Sequence, residues 1–455
     1  MAEVKETKEV STLLGDPKKA LLNLSVPTMI AMVITSLYSL INGIWVAGLG
    51  DLALAAIGFV HPVFLIVMGF SNGLGSGATA IISRYIGAKD RKQAGNAALH
   101  SIFLTIILTI IFTAIFALFI EQILTMLGAG AAASLGAEYG RILFGGSIFI
   151  VFSSTAYGIL RAEGNVLKAT YTMLFGALLN IVLDPLFIYY LDMGISGAAL
   201  ATIISLICAS LLLLYWFKKD TYIRFRVKDF VYSNKLIKQI LSVGLPAGTE
   251  FLMIAILSGS LNVILMMVSG VDGVAIYTAS WRIIMMAMVP IMAIGISLIA
   301  VTGASLGAKK YENINIIHNY GIKIGMIIVI IMAGTIFLLA PYISYLFTYS
   351  PGSANLQAFC ADFLRIVSIS LLFLPLGVSS TSIFKGLGRG LDSLLIAIVR
   401  VIILEIFFAY VLAVPLGMGQ YGVWWGIVIG QALGAIFAYL WSKRYIKKLL
   451  SSGKI

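Results

Sequence analysis

Gly87-Ala88-Lys89 closes one long apolar stretch of this chain, and Gly307-Ala308-Lys309 closes another about 220 positions later. The pairing extends in both directions. Leu24-Ser25-Val26-Pro27 is answered by Val243-Gly244-Leu245-Pro246, and Gly75 by Gly295. Arg161-Ala162-Glu163-Gly164 is answered by Lys385-Gly386-Leu387-Gly388, and Met193-Gly194 with Gly197 by Met418-Gly419 with Gly422. Order and spacing both hold, so residues 24–217 lie over residues 243–442. A membrane chain repeated twice is the expected plan of a secondary transporter whose substrate is held between two halves.

Composition points to a membrane by a separate route. Apolar residues make up 60% of the chain and charged residues 11%, and the mean hydropathy is +1.03. A soluble domain carries about 25% charged residues. Twelve apolar runs are long enough to cross a hydrocarbon core of ~30 Å: 24–47, 54–80, 96–120, 139–160, 169–191, 195–217, 237–267, 275–300, 317–341, 358–384, 393–414 and 419–442. None alternates with period 2, so they are helices and not barrel strands. The expected fold is therefore all-α and integral to the membrane, with twelve transmembrane helices in two six-helix bundles. The polar first 17 residues have no apolar core or cleavage site and are not a signal peptide.

Lys and Arg sit on alternate connections. Lys18, Lys19, Arg84, Lys89, Arg91, Lys92, Lys168, Lys218, Lys219, Arg224, Arg226, Lys228, Lys309, Lys310, Lys385, Arg389 and the run from Lys443 to Lys448 fall on one side. The other connections, about 48–53, 121–138, 192–194, 268–274, 342–357 and 415–418, contain no Lys or Arg. The positive-inside rule then places both termini and the basic loops in the cytoplasm, in the cell's inner (plasma) membrane. It also accounts for a net charge of +12 through anionic lipid headgroups, with no nucleic acid involved. The organisation that follows is a cytoplasmic tail (1–17), a first bundle (18–217), a cytoplasmic linker (218–236), a second bundle (237–442) and a basic tail (443–455). Each half has an even number of helices and starts inside, so the repeats are parallel and related by a pseudo-twofold axis along the membrane normal.

Metal and nucleophile chemistry find no pattern here. Cys208 and Cys360 lie in different halves inside apolar runs and read as packing residues. His61, His100 and His318 have no partner at ligand spacing. No cofactor is expected.

The clearest ionisable group inside a span is Asp184, in Asn180-Ile181-Val182-Leu183-Asp184-Pro185. Asn180 and Asp184 share one helix face. Pro185 has no N–H to give the carbonyl of Ile181. A carboxylate, an amide and a loose carbonyl gather there, a set of oxygens that binds Na⁺ or carries a proton. On the outward-running fifth helix Asp184 lies about 7 residues from the outer end, or ~10 Å. Asn42 lies at ~9 Å on the first helix. Asn42, Asn180, Asp184 and Thr202 are thus expected to meet in the outer half of the first bundle. The competing role for Asp184 is a structural pair with an arginine, for which Arg141 is the nearest candidate.

At this point the chain resembles a known family. Leu37-Tyr38-Ser39-Leu40-Ile41-Asn42-Gly43-Ile44-Trp45-Val46 and Leu179-Asn180-Ile181-Val182-Leu183-Asp184-Pro185-Leu186-Phe187-Ile188-Tyr189 are similar to the first and fifth helices of multidrug and toxic compound extrusion (MATE) transporters. Within that family the chain resembles the prokaryotic DinF-like branch, its archaeal members especially, over about residues 15–445. The resemblance implies a V-shaped pair of bundles, and export of amphipathic, often cationic, organic compounds against inward flow of H⁺ or Na⁺. It also implies a cation site at Asp184, Asn180 and Thr202. The branch usually has Asp where this chain has Asn42, so the site holds one carboxylate fewer: Asn42 offers a carbonyl oxygen but cannot titrate.

The second half adds further candidates. Glu250, one turn after Pro246, is a candidate coupling or substrate-binding acid. Glu405 neutralises Arg400 or Arg282 on the structural-pair reading, and Asp362 with Arg365 reads as an interfacial pair. Tyr38 and Tyr277, near the inferred cleft, suit aromatic cations. Met286, within the group Met266, Met267, Met285, Met288 and Met292, suits varied apolar ligands, although packing or lipid contact is the commoner role of such a stripe. The expected protein is a monomeric, cation-coupled antiporter and not an enzyme. A flippase for a lipid-linked precursor is the alternative, and a membrane-embedded transferase lacks the clustered His or Asp that it needs.

Overall fold

The chain is described by a computed structural model over residues 7–219, 221–223, 225, 228, 230–348 and 354–452. Asp220, Arg224 and Arg226 of the expected linker lie outside the described residues. Among the described residues there is helix and no strand. After a short leading helix, Lys8–Leu14, come α1 (Pro17–Ala47), α2 (Asp51–Gly87), α3 (Arg91–Met126), α4 (Ala132–Gly145 with Ser147–Ala162), α5 (Val166–Tyr190) and α6 (Gly194–Lys219). The second series is α7 (234–269), α8 (271–307), α9 (Tyr311–Thr348), α10 (Gln357–Leu371 with Leu374–Gly386), α11 (Gly390–Ala413) and α12 (Gly419–Ser452).

Nine continuous helices among the described residues are long and apolar enough to cross a membrane, and the two bent pairs raise this to eleven. The twelfth is contained in the longest of the nine. Asn234–Gly307 runs unbroken by hydrogen-bond pattern, yet Gly270 sits at φ 62°, ψ −152° and divides it into α7 and α8. Only glycine adopts that backbone without strain. All twelve apolar runs of the sequence fall within these helices to within a residue at their ends.

Helix starts follow local chemistry. Asp16 caps α1 by accepting from the N–H groups of Lys18 and Lys19, both at 2.9 Å, with Pro17 at the first position. Asp90 caps α3 through Gln93 at 3.0 Å, and Ser233 caps α7 through Leu236 at 3.4 Å.

The repeat is visible in the backbone itself. Lys89 and Lys309 both lie at φ 58°, an uncommon left-handed value for lysine. Gly164 and Gly388 lie at 78° and 80°, and Gly194 and Gly419 at 54° and 58°. α4 bends by 48° and α10 by 44°. The Gly-Ala-Lys copies also explain why glycine stands in both. A Cβ on Gly87 would come within 2.0 Å of the Ala304 carbonyl oxygen, and one on Gly307 within 1.8 Å of that of Arg84. The two contacts are reciprocal, residue for residue, as a local twofold relation requires.

By internal packing the chain forms two compact units. The first comprises Met1–Phe251 with Ala300–Lys309 and Gly386–Gly390, and the second comprises Leu252–Ile299, Lys310–Lys385 and Leu391–Ile455. In the first unit the segment after α6 is docked. Glu163, 1% exposed at the end of α4, accepts from the Thr221 hydroxyl and from the N–H groups of Tyr222 (3.2 Å) and Ile223 (2.9 Å). Arg91 donates to the Tyr222 carbonyl and lies 4.9 Å from the centre of its ring. Asn96 exchanges two hydrogen bonds with Val231, at 2.9 and 3.2 Å. The His100 Nε2 accepts from Ser233 N–H at 3.0 Å, so its Nδ1 donates to the Asn96 carbonyl at 2.8 Å.

Burial pushes the Glu163 carboxyl up to about 7 from the ordinary glutamate value of 4.5, against the opposing pull of its hydrogen bonds. The native state therefore holds this proton more tightly than the unfolded chain. Its stabilising effect is full below about pH 4.5 and is lost as pH rises through about 7. Hydrogen-exchange protection of the Tyr222 and Ile223 amides, corrected for intrinsic rates, is expected to fall across that window. Glu163→Gln should flatten the profile, and flat protection in the unmodified protein would contradict the assignment.

Candidate functional site

The fifth helix changes its winding beside Asp184. Pro185 cannot donate to the preceding turn, the Leu186 N–H turns back to Leu183, and residues Leu186–Tyr190 form a π-helical turn. Turns of this kind are frequent at functional sites. Immediately before it Asp184 is 0% and Asn180 2% exposed. Neither carboxylate oxygen of Asp184, and neither amide atom of Asn180, completes a hydrogen bond. The amide lies close enough to act on the carboxylate, but outside hydrogen-bond geometry.

Three other elements of the first unit bring oxygen to the same place. Tyr38 of α1 lies within electrostatic reach of Asp184, and its hydroxyl accepts from Asn42 Nδ2 at 3.2 Å. Thr202 of α6 lies near that hydroxyl, while its own Oγ1 donates to the Ala198 carbonyl at 3.0 Å. Tyr139 of α4 lies within electrostatic reach of both Tyr38 and Asp184. Toward the C-terminal end of α1 lies Tyr189, whose hydroxyl donates to the Trp45 carbonyl and whose ring meets the Trp45 ring edge-on at 6.3 Å. Asn42, Asn180, Asp184 and Thr202 thus come together, and Tyr38 joins them. Arg141 is not the partner of Asp184: its guanidinium pairs with Glu121 at 2.6 Å.

The remaining candidates are dispersed. Glu250 is half-buried on α7 in the first unit. Tyr277 belongs to the second unit and is 3% exposed. It stacks on Trp281 at 5.4 Å and meets Phe363 edge-on at 6.0 Å, and Phe363 meets Trp424 at 5.5 Å. Tyr277 is thus part of an aromatic core, and Met286 is half-buried nearby in the chain. Glu405, 4% exposed, faces the charge of Arg400 and lies within reach of Tyr277. Arg282 is exposed. Asp362 approaches Arg365 at 3.9 Å and accepts from the Tyr421 hydroxyl at 2.8 Å.

A family model, MatE, matches residues 27–186 and again residues 246–411, once in each repeat. The chain belongs to the MatE family. The multidrug export protein MepA of Staphylococcus aureus is 29% identical over 430 residues, covering 93% of this chain and 92% of that one. Solved structures agree along the whole length. A MATE transporter in complex with MaL6 is 40% identical with a TM-score of 0.96, covering 98% of this chain and 100% of that chain. A multidrug resistance MATE family transporter of the MOP superfamily, in an outward-facing conformation, is 40% identical with a TM-score of 0.96, covering 99% and 100%. A MOP superfamily transporter from Pyrococcus furiosus, described as having a binding pocket of reverse polarity that suggests a different function, is 40% identical with a TM-score of 0.95, covering 98% and 99%. The MatE chain is accordingly a multi-pass membrane transporter and not an enzyme.

Two contributors to the MatE site escape the sequence reading. Tyr139 stands on α4 between Glu138 and Gly140, and nothing in the local sequence points it toward α5. Tyr189 stands one turn past Pro185, where it looks like an interfacial aromatic. Only the packing of α5 on α1 shows that its hydroxyl reaches a backbone carbonyl.

Proposed function

We propose that this MatE protein is a cation-coupled antiporter that exports amphipathic, often cationic, organic compounds, and that Asp184 with Asn180 is its coupling site. One observation carries this reading: a fully buried carboxylate and a buried amide with no hydrogen-bond partners, one turn apart, beside a proline and a π-helical turn. A buried charge left unpaired costs several kcal/mol. A bound proton or a hard cation such as Na⁺ removes that cost. Asn42, Tyr38 and Thr202 supply further oxygens, all of a type suited to such an ion.

Coupling follows from differential affinity. The ion binds Asp184 from outside and favours the conformation that releases substrate outward. Substrate arriving from inside favours the conformation with low affinity for the ion. Basic connections on alternate loops support an orientation in the inner (plasma) membrane with both termini in the cytoplasm. Export of drug-like compounds is supported by the MepA relative, whose name states multidrug export.

The test is reconstitution into liposomes, with ethidium release followed under an imposed pH gradient and separately under a Na⁺ gradient. Movement under one gradient alone names the ion. No movement under either gradient overturns antiport.

A further inference from the structure

α8 presents one exposed stripe at helical spacing: Asp272, Ala275, Thr278, Arg282 and Met285. Arg282 lies about 7 residues inside the apolar run 275–300, roughly 10 Å at 1.5 Å per residue. A charged side chain at hydrocarbon depth faces protein or water-filled space, not lipid chains. Arg282 is exposed, and no ion pair is recorded for it among the described residues, unlike Arg141 with Glu121 or Arg365 with Asp362.

The character of the stripe agrees. Beyond the exposed Lys323, α9 shows mostly Ile327, Ile330, Ile331, Leu338 and Leu339, large hydrocarbon side chains of the kind that meets lipid, with Thr335 among them. The α8 stripe is small or polar over most of its length. The repeat provides an internal control, because the equivalent positions of α2, namely Ala55, Gly58, Pro62 and Leu65, are exposed as well. Both copies therefore keep the same face open. Only the α8 copy places a fixed charge on it, in register with Pro62. The neighbouring Trp281 is half-buried and held in place by stacking on Tyr277.

We infer that Arg282 recognises an oxyanion group, a carboxylate or a phosphate, on an amphipathic aromatic substrate, so that among amphipathic compounds this transporter favours those that carry such a group, zwitterions included, over their counterparts without it. The inference rests on the transport reading above and names the substrate class. A guanidinium is a planar fork of donors matched to such a group, and it stays charged across the physiological range. Trp281 offers an aromatic surface beside it.

The experiment uses two dyes that differ only at one group: rhodamine 110, with a free carboxylate, and rhodamine 123, its methyl ester. Equilibrium binding to the purified full-length protein is read by fluorescence anisotropy in nanodiscs of phosphatidylcholine and of phosphatidylglycerol. The unmodified protein in phosphatidylcholine is expected to bind rhodamine 110 about tenfold more tightly than its ester, the size of one charge-assisted contact. Arg282→Gln removes the preference by weakening the acid alone, and Arg282→Lys restores part of it. A preference that vanishes only in phosphatidylglycerol supports the oxyanion site and assigns its resident ligand to lipid phosphate. Equal affinities in the unmodified protein, or a parallel loss of both dyes in Arg282→Gln, overturn the inference. Failure of the antiport reading would show instead as an absence of gradient-driven movement, which this equilibrium measurement does not read.

Discussion

Asp184→Asn is expected to yield a folded, membrane-inserted protein in which dye efflux no longer responds to any ion gradient. The substitution keeps the volume and shape of the side chain and removes only the charge, so the packing around a fully buried position is preserved. The lost property is differential affinity for the ion in the two conformations, without which a gradient does no work on the cycle. Rates should drop to those of liposomes without a gradient. A second readout separates coupling from folding. The coupling ion stabilises the unmodified protein by about 2.7 kcal/mol when present at 100 times its dissociation constant, so the unfolding midpoint should climb with ion concentration. In Asp184→Asn it should stay flat. Undiminished ion-driven efflux by the variant would remove Asp184 from the mechanism.

The repeat was legible because it rests on residues with few substitutes. Gly87 and Gly307 are fixed by backbone contacts shorter than any side chain permits, and Gly164 and Gly388 by a left-handed backbone. Such positions keep their identity in both copies, so matching letters reported matching structure. Apolar runs likewise located all twelve helices. They placed the ends less well, since α2 and α8 continue to Gly87 and Gly307, well past their apolar runs. Nor did they show that α7 and α8 are separated by a single residue, Gly270.

The candidate site was legible in part for a related reason. A carboxylate, an amide and a proline within six residues of an apolar run stand out on cost alone, and Asp184 with Asn180 is buried as that cost requires. Partners across helices are a different matter. Arg141 was the nearest cation in the first bundle by depth, yet it pairs with Glu121, which precedes it by twenty residues across the α3–α4 connection. Tyr277 reads as a ligand-facing aromatic, and packing places it against Trp281 and Phe363. The hold of Glu163 on the segment at 221–223 joins residues about 60 apart and leaves no periodic trace. Side-chain direction around a helix is set by neighbours that periodicity alone does not identify.

Gly426→Val is expected to prevent assembly of the second unit. α12 meets α11 along glycines one turn apart, the small-residue packing that lets membrane helices approach closely. A Cβ on Gly426 would lie 2.3 Å from the Ala409 Cα, one on Gly422 2.5 Å from the Ala413 nitrogen, and one on Gly430 2.5 Å from the Glu405 Cα. These obstacles are backbone atoms, so relief requires the helices to separate. At Gly434 the obstacles are the Cγ, Cβ and backbone Cα of Arg400, at 2.3, 2.6 and 2.8 Å, so this position is closed as well, though alanine adds only the single carbon there. Overpacking of a rigid core costs about 1–3 kcal/mol and more where nothing yields, and a branched side chain against the Phe408–Ala409 backbone belongs at the upper end. Gly426→Val should therefore give little monodisperse protein or a large fall in unfolding midpoint, with Gly434→Ala intermediate. Gly334→Ala on α9 is the control: nothing lies within 4 Å of its Cβ position, and alanine is favoured over glycine in a helix by about 0.5–1 kcal/mol. A Gly426→Val protein as stable as Gly334→Ala would show that α11 and α12 are not held by this contact.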